Sequence, residues 1–280
     1  MPISGTAREL SREESLDDNA RSNGSPYSRA GSMNLLILTP QDDLADGVCT
    51  ITDDRADHIR KILKLVAGDS IRVGLLSGPA GTALIEEVFD RRVVLRCGEM
   101  TEIAPPIVEI DIVCAVPRPQ TLKKVLITAA GMGVRRLHLL RTRRVDKSYL
   151  QSKVLNPERY RPLLIEGLAQ GKLTRLPEVT LHPRFRPFIE DELPGLVAET
   201  EGTHLLLPDQ SGEARLDGVL DKSVRRLIIA IGPEGGWVPF EIKKLERAGF
   251  TTFSLGPWTL RVETALAAVL SQAELVVGER

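Results

Sequence analysis

Aromatic residues are scarce in this chain: phenylalanine, tryptophan and tyrosine together make up 4% of its 280 residues. This scarcity argues against a protein that holds single-stranded nucleic acid mainly by stacking bases. Charge of one sign is not in excess either, because 37 Lys and Arg residues face 38 Asp and Glu residues. Any site for a polyanion must therefore be a local patch. No apolar run reaches the roughly 18 residues that a membrane-spanning helix needs, so no membrane span is predicted.

The chain has three widely spaced cysteines, Cys49, Cys97 and Cys114, and no Cys-x-x-Cys pair. None of its four histidines stands at a zinc-ligand spacing from them, so no metal site is predicted. An odd number of separated cysteines is typical of reduced thiols, and we therefore expect a cytoplasmic protein.

Several catalytic motifs are missing or incomplete. The segment Gly167-Leu-Ala-Gln-Gly-Lys172 is one residue shorter than a phosphate-binding loop, and Leu173 stands where Ser or Thr would hold magnesium. We interpret it as a helix that ends at a glycine cap. Gly131-Met-Gly-Val134 begins like a dinucleotide fingerprint, but Arg136 replaces its third glycine. Since Gly-x-Ser-x-Gly and the kinase motifs are absent as well, hydrolases and nucleoside triphosphatases are disfavoured.

The first 32 residues are mostly polar or charged. Such a segment cannot bury enough apolar surface to offset the entropy of ordering, so residues 1–32 are predicted to be a disordered extension. They contain no hydrophobic segment of a secretory signal. Met33 begins a strand-like run, and a start of translation at Met33 is therefore an open alternative.

Residues 33–104 are predicted to form a small β-barrel domain. Short strands are separated by turns that contain Gly and Pro, and one helix is expected from Asp53 to about Leu65. The double proline in Thr101-Glu-Ile-Ala-Pro-Pro106 cannot continue a β-ladder, so it marks a domain boundary.

Residues 105–280 follow a different pattern, in which apolar strands alternate with helical segments. This alternation predicts an α/β domain with a parallel sheet that is covered on both faces. The clearest helix runs from Val262 to Val277, where apolar residues recur at helical spacing.

Two loops that contain glycine are the strongest candidates for a ligand site. Ile231-Gly-Pro-Glu-Gly-Gly-Trp237 follows the most apolar strand, and loops at the carboxyl ends of parallel strands bind ligands in such sheets. Its glycines let the backbone approach a ligand closely, although a tight turn without a ligand is the alternative. Glu241 follows in the first turn of the next helix, where a carboxylate suits the helix dipole.

The second loop, Ser254-Leu-Gly-Pro-Trp-Thr-Leu-Arg-Val-Glu-Thr-Ala265, is another turn with Gly and Pro that enters a helix. The first turn of a helix favours acidic side chains, because they complement the helix dipole, so an arginine such as Arg261 is unexpected there. Arg261 and Glu263 side by side therefore indicate a polar site on rigid elements.

The two loops together resemble the double signature of the ribosomal RNA small subunit methyltransferase E family, which is Gly-Pro-Glu-Gly-Gly followed by Leu-Gly-x-x-x-Leu-Arg-x-Glu-Thr-Ala. The resemblance covers nearly all of the chain from Met33 onward. His58-Ile-Arg-Lys-Ile-Leu63 and Ala67-Gly-Asp-Ser-Ile71 resemble the N-terminal RNA-binding barrel of that family. Gly133-Val-Arg-Arg-Leu137 resembles a further family segment.

The resemblance implies a SPOUT-type α/β fold, with a parallel sheet and a deep C-terminal trefoil knot, preceded by a small PUA-like β-barrel. It implies S-adenosylmethionine as cofactor, a homodimer, and methylation of N3 of a uridine (the uracil-1498 type) in 16S rRNA of the small ribosomal subunit. Carried over by position, the cofactor-binding residues are Leu207, Pro208, Ile231, Gly232, Pro233, Glu234, Gly235, Gly236, Leu255, Gly256, Leu260, Arg261, Glu263, Thr264 and Ala265.

Methyl transfer from a sulfonium needs no protein nucleophile, which agrees with the missing nucleophile motifs. The enzyme has to position the base and help uracil N3 to lose its proton. Glu263 is predicted as the catalytic base and Arg261 as a group that favours the uridine anion. The alternative is that both residues only bind, with Glu263 capping the helix or holding the cofactor's amino group.

A basic cluster between Arg135 and Lys147, interrupted by one acid, Asp146, is the predicted RNA-contact surface. An ordinary solvated surface with internal ion pairs is the alternative. The predicted RNA-binding residues are Arg60, Lys61, Arg135, Arg136, Arg141, Arg143, Arg144 and Lys147.

Three functions are open at this stage. The leading one is a 16S rRNA uracil-N3 methyltransferase. The second is a methyltransferase that acts on another RNA such as tRNA, and the third is a non-catalytic RNA-binding module. The intact second loop, with Arg261, Glu263 and Thr264, argues against the third.

Overall fold

The computed structural model of the protein describes residues 35–221 and 223–278. The predicted disordered extension, residues 1–32, lies outside the described residues. The strands are β1 (Leu36–Leu38), β2 (Val48–Ile51), β3 (Ser70–Leu75), β4 (Ala80–Val88), β5 (Val93–Thr101), β6 (Glu109–Ala115), β7 (Arg136–Leu140), β8 (Glu178–His182), β9 (Thr203–Pro208), β10 (Arg226–Ile231) and β11 (Thr251–Phe253). The helices are α1 (Asp54–Asp57), α2 (Pro119–Gly131), α3 (Pro157–Gly171), α4 (Phe185–Pro187), α5 (Leu193–Ala198), α6 (Pro239–Arg247) and α7 (Val262–Val277).

Strands β1 to β5 form a five-stranded sheet in the order β1-β3-β4-β5-β2. β1 is parallel to β3, and the other neighbours are antiparallel. This confirms the β-rich character predicted for this part of the chain. The sheet has its own cluster of buried apolar side chains, which includes Ile51, Val73, Ile85 and Leu95. Its assignment as a PUA-like barrel stays a prediction.

The helix predicted from Asp53 to about Leu65 is shorter and less regular than expected. Asp53 caps α1, because its side chain accepts a hydrogen bond of 2.9 Å from the backbone N–H of Arg55. α1 then continues as a π-helical turn that ends at Ile62. Lys64 adopts a left-handed φ of 54°. Since this conformation cannot continue a right-handed helix, the predicted helix extends too far toward Leu65.

Strands β6 to β11 form a six-stranded sheet in the order β11-β9-β10-β6-β7-β8, and every neighbouring pair is parallel. The central strand β10 is buried at every position, as expected for a parallel sheet with both faces covered. This arrangement confirms the predicted α/β fold with a parallel sheet. It brings the loops that follow the strands to one edge of the sheet, which we call the carboxyl edge.

Helices α2 and α3 pack closely through glycines. A Cβ atom on Gly167 would lie 2.2 Å from the carbonyl oxygen of Ile127, and one on Gly171 would lie 2.0 Å from that of Gly131. The interpretation of this segment as a glycine-capped helix end was wrong in detail. The C-cap in the left-handed conformation is Lys172, with a φ of 56°. Gly171 is the last helical residue, and its missing side chain allows the close packing against α2.

A buried ion-pair network lies at the opposite edge, where β6, β7 and β10 begin. Arg226 is fully buried and donates to Asp111, whose carboxylate also accepts two hydrogen bonds of 3.0 Å from Arg135. Burial alone would raise the pKa of Asp111, but the two guanidinium groups outweigh it and hold that pKa below its ordinary value. Glu199 extends the network by pairing with Arg136 at 2.7 Å and with Arg226 at 3.0 Å.

The chain contacts itself closely after β9 and β11. The backbone N–H of Asp209 donates to the carbonyl oxygen of Phe253 at 3.0 Å, and the N–H of Ser254 donates to that of Ala214 at 2.8 Å. A Cβ atom on Gly212 would lie 2.3 Å from the carbonyl carbon of Phe253, so only glycine fits at this contact. The trefoil knot expected for this part of the chain stays a prediction.

α7 confirms the helix predicted from Val262 to Val277, and its buried residues include Leu266, Val269 and Leu270. None of the helices in residues 35–221 and 223–278 has the length and hydropathy to cross a membrane. The same part of the chain contains no group of three His, Cys, Asp or Glu side chains placed to share a metal ion.

Candidate active site

The loops that follow β9, β10 and β11 enclose a cavity of about 380 Å³ at the carboxyl edge of the large sheet. This volume is within the range of small-molecule sites. Most of the predicted cofactor residues line it. They are Pro208, Ile231, Gly232, Pro233, Glu234, Gly235, Gly236, Leu255, Gly256, Leu260 and Ala265.

Four predicted cofactor residues lie outside the walls of this cavity: Leu207, Arg261, Glu263 and Thr264. Leu207 is fully buried in β9, and Thr264 is exposed on α7. Arg261 and Glu263 line a second, neighbouring cavity. A cofactor contact for these four residues stays a prediction.

The first glycine loop needs its glycines for two different reasons. Gly236 has a positive φ of 70°, which lets the turn close with a 2.8 Å hydrogen bond from its N–H to the carbonyl oxygen of Pro233. Gly232 leaves room for the indole of Trp237, since a Cβ atom there would lie 3.1 Å from the indole Nε1. The loop is therefore a tight backbone wall, open to a ligand on its cavity side.

Glu241 joins two of the loops at the carboxyl edge. Its Oε1 accepts a 2.7 Å hydrogen bond from the backbone N–H of Arg143, which follows β7. Its Oε2 accepts one of 3.0 Å from the N–H of Val238, at the end of the glycine loop. Glu241 is 3% exposed. The sequence places Glu241 in the first helical turn correctly, but its role goes beyond complementing the helix dipole.

Arg144 lies in the wall of the cavity, although the basic pattern predicts it as an RNA contact. Its guanidinium donates to the carbonyl oxygen of Gly235, and at 3.4 Å to that of Trp237. Arg144 therefore braces the glycine loop from the side of β7. Glycine at position 235 leaves room for this arginine, because a Cβ atom there would lie 3.2 Å from Cδ of Arg144.

The two tryptophans of the chain are site residues that the sequence pattern does not predict. Trp237 and Trp258 both line the cavity, and Trp258 is 69% exposed. Gly256 has a φ of 133°, and a Cβ atom on it would lie 3.0 Å from the Trp258 ring. Two tryptophans in a chain that is poor in aromatic residues, each inside a glycine loop, are the signal that would have identified them.

The second cavity has a volume of about 290 Å³ and lies between the start of α2 and the start of α7. Glu234 lines both cavities, so the two cavities are adjacent. Its Oε1 accepts a 2.9 Å hydrogen bond from the backbone N–H of Arg118, just before α2. The two predicted catalytic residues, Arg261 and Glu263, thus line the smaller cavity and not the larger one.

The α2 side of this second cavity is also absent from the predicted site residues. It is formed by Arg118, Gln120, Thr121 and Lys124. These residues follow β6, a buried strand of the parallel sheet. The rule that sites form at the carboxyl ends of such strands would have selected them.

The ammonium of Lys124 lies 3.2 Å from Oε1 of Glu263. Burial acts to raise the pKa of the Glu263 carboxyl, but its own backbone N–H, Lys124 and Arg261 hold that pKa below its ordinary value. Glu263 is therefore a carboxylate over the physiological pH range, held between cations.

The basic cluster predicted from Arg135 to Lys147 is divided by strand β7. Arg135 and Arg136 lie at the start of β7 and belong to the ion-pair network. Arg141, Arg143 and Lys147 follow the end of β7, at the carboxyl edge, and Arg143 and Lys147 are exposed. RNA contact stays a prediction for Arg141, Arg143 and Lys147, whereas the ion pairs of Arg135 and Arg136 favour the alternative of a structural role for these two.

Arg60 and Lys61, the two RNA contacts predicted in the small sheet domain, both pair with Asp57, at 3.0 and 2.8 Å. These are ion pairs between neighbours on one helical segment and are partly exposed. They leave both cations at the surface, and RNA contact stays a prediction here as well.

Comparison with known proteins agrees with this arrangement. A family model described as RNA methyltransferase domain matches residues 104–274. Ribosomal RNA small subunit methyltransferase E of Treponema pallidum is 29% identical, over 83% of this chain and 88% of that protein. Ribosomal RNA small subunit methyltransferase E 1 of Borreliella burgdorferi is 26% identical, over 87% of this chain and 99% of that protein.

Two solved structures show the same fold. Ribosomal RNA small subunit methyltransferase E from Neisseria gonorrhoeae, bound to S-adenosyl methionine, aligns with a TM-score of 0.67 at 18% identity, over 87% of this chain and 98% of that one. A Legionella pneumophila methyltransferase in complex with the same cofactor gives 0.66 at 22% identity, over 86% and 97%. Since the family model spans more than half of the chain, this protein belongs to the RNA methyltransferase family, in the group that ribosomal RNA small subunit methyltransferase E represents.

Proposed function

We propose that this protein transfers a methyl group from S-adenosylmethionine to N3 of a uridine in 16S rRNA of the small ribosomal subunit, in the cytoplasm. The observation that carries the proposal is the cavity of about 380 Å³ whose walls are the two glycine loops. Membership of the RNA methyltransferase family supports the reaction class, and the names of the relatives support the substrate.

The residues of the larger cavity fit the cofactor. Leu255, Leu260 and Ala265 offer an apolar surface for an adenine ring, and the backbone of the glycine loops offers donors and acceptors. Trp237 adds a donor, because its Nε1 is buried and has no hydrogen-bond partner among the described residues. Asp209 gives a carboxylate for hydroxyl or ammonium groups. When bound, S-adenosylmethionine supplies a methyl group that its sulfonium makes electrophilic.

The protein's own contribution is to place the target base and to manage its proton. Arg261 and Glu263 line the smaller cavity, which shares the Glu234 side chain with the larger one. A uracil ring in this cavity would lie next to a ligand in the larger one, as methyl transfer requires. Arg261 favours negative charge on the ring, and this role is part of the proposal.

The partner of the site is RNA, and we assign its contacts to Arg60 and Lys61, in the π-helical turn after α1, and to Arg141, Arg143, Arg144 and Lys147 after β7. We further propose that the small sheet is a PUA-like barrel, that the contacts after β9 and β11 belong to a trefoil knot, and that the active enzyme is a homodimer. The self-contact at Gly212 and Phe253 supports the knot.

Calorimetric titration with S-adenosylmethionine tests the cofactor assignment. We expect saturable binding that Gly235→Val weakens by at least about tenfold, since the added side chain meets Arg144 and fills the loop. Gly195→Val is the matched control, because a Cβ atom at position 195 has no atom within 4 Å.

Incubation of unmethylated small subunits with labelled cofactor tests the substrate. N3 lies on the pairing edge of uracil, so its methylation stops reverse transcriptase at one position of 16S rRNA. Label in tRNA alone would favour the second function, a methyltransferase for another RNA. Binding to small subunits without cofactor binding or label would favour the non-catalytic module.

A further inference from the structure

The smaller cavity carries an excess of positive charge. Arg118, Lys124 and Arg261 line it, opposed by Glu234 and Glu263. These are the charged residues that line the cavity from α2, α7 and the glycine loop. Three cations face two carboxylates, so one positive charge is uncompensated. A site with this balance favours a ligand that is, or becomes, a monoanion.

The position of this cavity suits the group that receives the methyl. Glu234 forms a wall of both cavities and is held by the backbone N–H of Arg118 at 2.9 Å. A group in the smaller cavity is therefore adjacent to a ligand on the glycine loops. Its volume of about 290 Å³ lies near the lower end of the range for small-molecule sites, which suits a single nucleotide rather than a longer segment.

Lys124 reaches this cavity from the side of α2. Its ammonium lies 3.2 Å from Oε1 of Glu263, whose side chain is 15% exposed, while that of Lys124 is 58% exposed. An ammonium has three N–H donors, and Glu263 accepts one of them. Glu263 thus holds the ammonium at the cavity and leaves other donors for a ligand.

The same contact makes Glu263 a poor base. Its pKa lies below the ordinary value of a glutamate, whereas uracil N3 is a weak acid that ionises only in alkaline solution. A general base works best when its pKa is near the working pH. The cavity therefore favours the uridine anion by its field and not by a proton acceptor.

We propose that Lys124 is a catalytic residue that stabilises the target uridine as its N3 anion, and that Glu263 is the positioning residue that holds the Lys124 ammonium in place. This inference rests on the proposed function. The N3–H bond breaks and its proton passes to solvent. The electron pair left on N3 forms the bond to the methyl carbon, while the pair of the broken carbon–sulfur bond stays on sulfur.

The test compares Lys124→Met with the wild type in single-turnover methylation of small subunits between pH 6 and pH 9.5. A cation within about 4–6 Å lowers the pKa of an anion by roughly 1–3 units. Lys124→Met should therefore move the midpoint of the pH profile up by about 1 unit. It should also reduce the rate at neutral pH by at least about tenfold. Lys124→Arg should keep the wild-type midpoint.

A more acidic substrate gives a second, independent readout. Fluorine at C5 of uracil withdraws electrons and makes N3 easier to ionise. Small subunits assembled with 5-fluorouridine in their 16S rRNA should recover most of the rate that Lys124→Met loses. A variant that loses rate equally at every pH, with no recovery on the fluorinated substrate, has lost binding or structure, and this result would overturn the proposal.

Two controls separate this inference from the proposed function. Lys123→Met removes the same charge from the neighbouring exposed position of α2 and should keep the wild-type pH profile. Calorimetry should give Lys124→Met the wild-type affinity for S-adenosylmethionine, since Lys124 is outside the larger cavity. Wild-type protein that neither binds cofactor nor methylates subunits contradicts the proposed function. Active wild type with an unchanged Lys124→Met profile contradicts this inference alone.

Discussion

Glu241 and Arg143 join two loops of the site that lie far apart in the sequence. The backbone N–H of Arg143 donates to Oε1 of Glu241 at 2.7 Å, and Oε2 of Glu241 accepts from Val238 at 3.0 Å. One buried carboxylate thus fixes the segment after β7 to the end of the glycine loop. The shape of the larger cavity depends on this link, because Arg144 and Trp237 are the next residues on either side.

Glu241→Ala should destabilise the protein and weaken cofactor binding together. The change removes the carboxylate acceptor of two partly buried N–H groups, and a hydrogen bond to a charged group contributes about 1.5–3 kcal/mol. We expect the free energy of unfolding in urea to fall by at least about 2 kcal/mol. Glu246→Ala, on the exposed face of the same helix, should change it by less than about 0.5 kcal/mol. Equal effects of the two changes would contradict the bridging role of Glu241.

The close contact between α2 and α3 gives a second stability prediction. Gly167→Ala places a methyl group 2.2 Å from the carbonyl oxygen of Ile127. Because backbone cannot move aside cheaply, we expect a loss of about 1–3 kcal/mol in the free energy of unfolding. Gly195→Ala, in α5, meets no atom within 4 Å and should stabilise by up to about 1 kcal/mol, as alanine does in a helix. Urea unfolding of both variants checks the difference in sign.

The sequence predicts the larger cavity well, because much of its wall is the backbone of glycine-containing loops. Glycines at positions 232, 235 and 236 follow an apolar strand, and that order alone indicates a loop at the carboxyl edge of a sheet. The parallel sheet follows from the same alternation of strands and helices. The glycine loop and the parallel sheet can therefore be predicted, because residues that are close in sequence determine each of them.

The smaller cavity is harder to predict, because its parts come from distant segments. Lys124 and Glu263 are 139 positions apart, and no local pattern announces that they meet. The basic run from Arg135 to Lys147 fails as a single patch for a related reason. Charged residues that are close in sequence lie at opposite ends of β7. The sequence pattern does not indicate which carboxylates pair with Arg135 and Arg136 at the start of the strand.

The buried pair of His138 and His182 makes stability depend on pH. Nδ1 of His138 lies 3.1 Å from Nε2 of His182, and burial lowers the pKa of His138 to about 4. In the unfolded chain that pKa is about 6.5. Between these values the unfolded state binds more protons than the folded state, so the stability from this residue is lost as the pH falls through this window.

The expected loss from His138 between pH 7 and pH 5 is about 2 kcal/mol in the free energy of unfolding. His138→Gln keeps a side-chain amide toward His182 but cannot take up the proton. Its urea unfolding should therefore depend on pH less steeply than that of the wild type, by about this amount. Parallel pH dependences in the two proteins would show that His138 is not the titrating group.

The division of the basic cluster predicts opposite behaviour at its two ends. Arg135 contacts buried Asp111 with two hydrogen bonds of 3.0 Å. Arg135→Ala should therefore lower the free energy of unfolding by about 3 kcal/mol, the usual cost of breaking a buried ion pair. Lys147→Ala, at an exposed position after β7, should leave unfolding unchanged and weaken binding to small subunits.

Binding measured over a range of salt concentration separates these effects. Each lost phosphate contact lowers the slope of log affinity against log salt by about 1. Lys147→Ala and Arg143→Ala should each reduce this slope, whereas Arg135→Ala, assayed below its unfolding transition, should keep it. A reduced slope for Arg135→Ala would place RNA at the amino ends of the strands instead. That result would move the RNA path to the side of the sheet opposite the glycine loops, where a bound uridine could not reach the larger cavity.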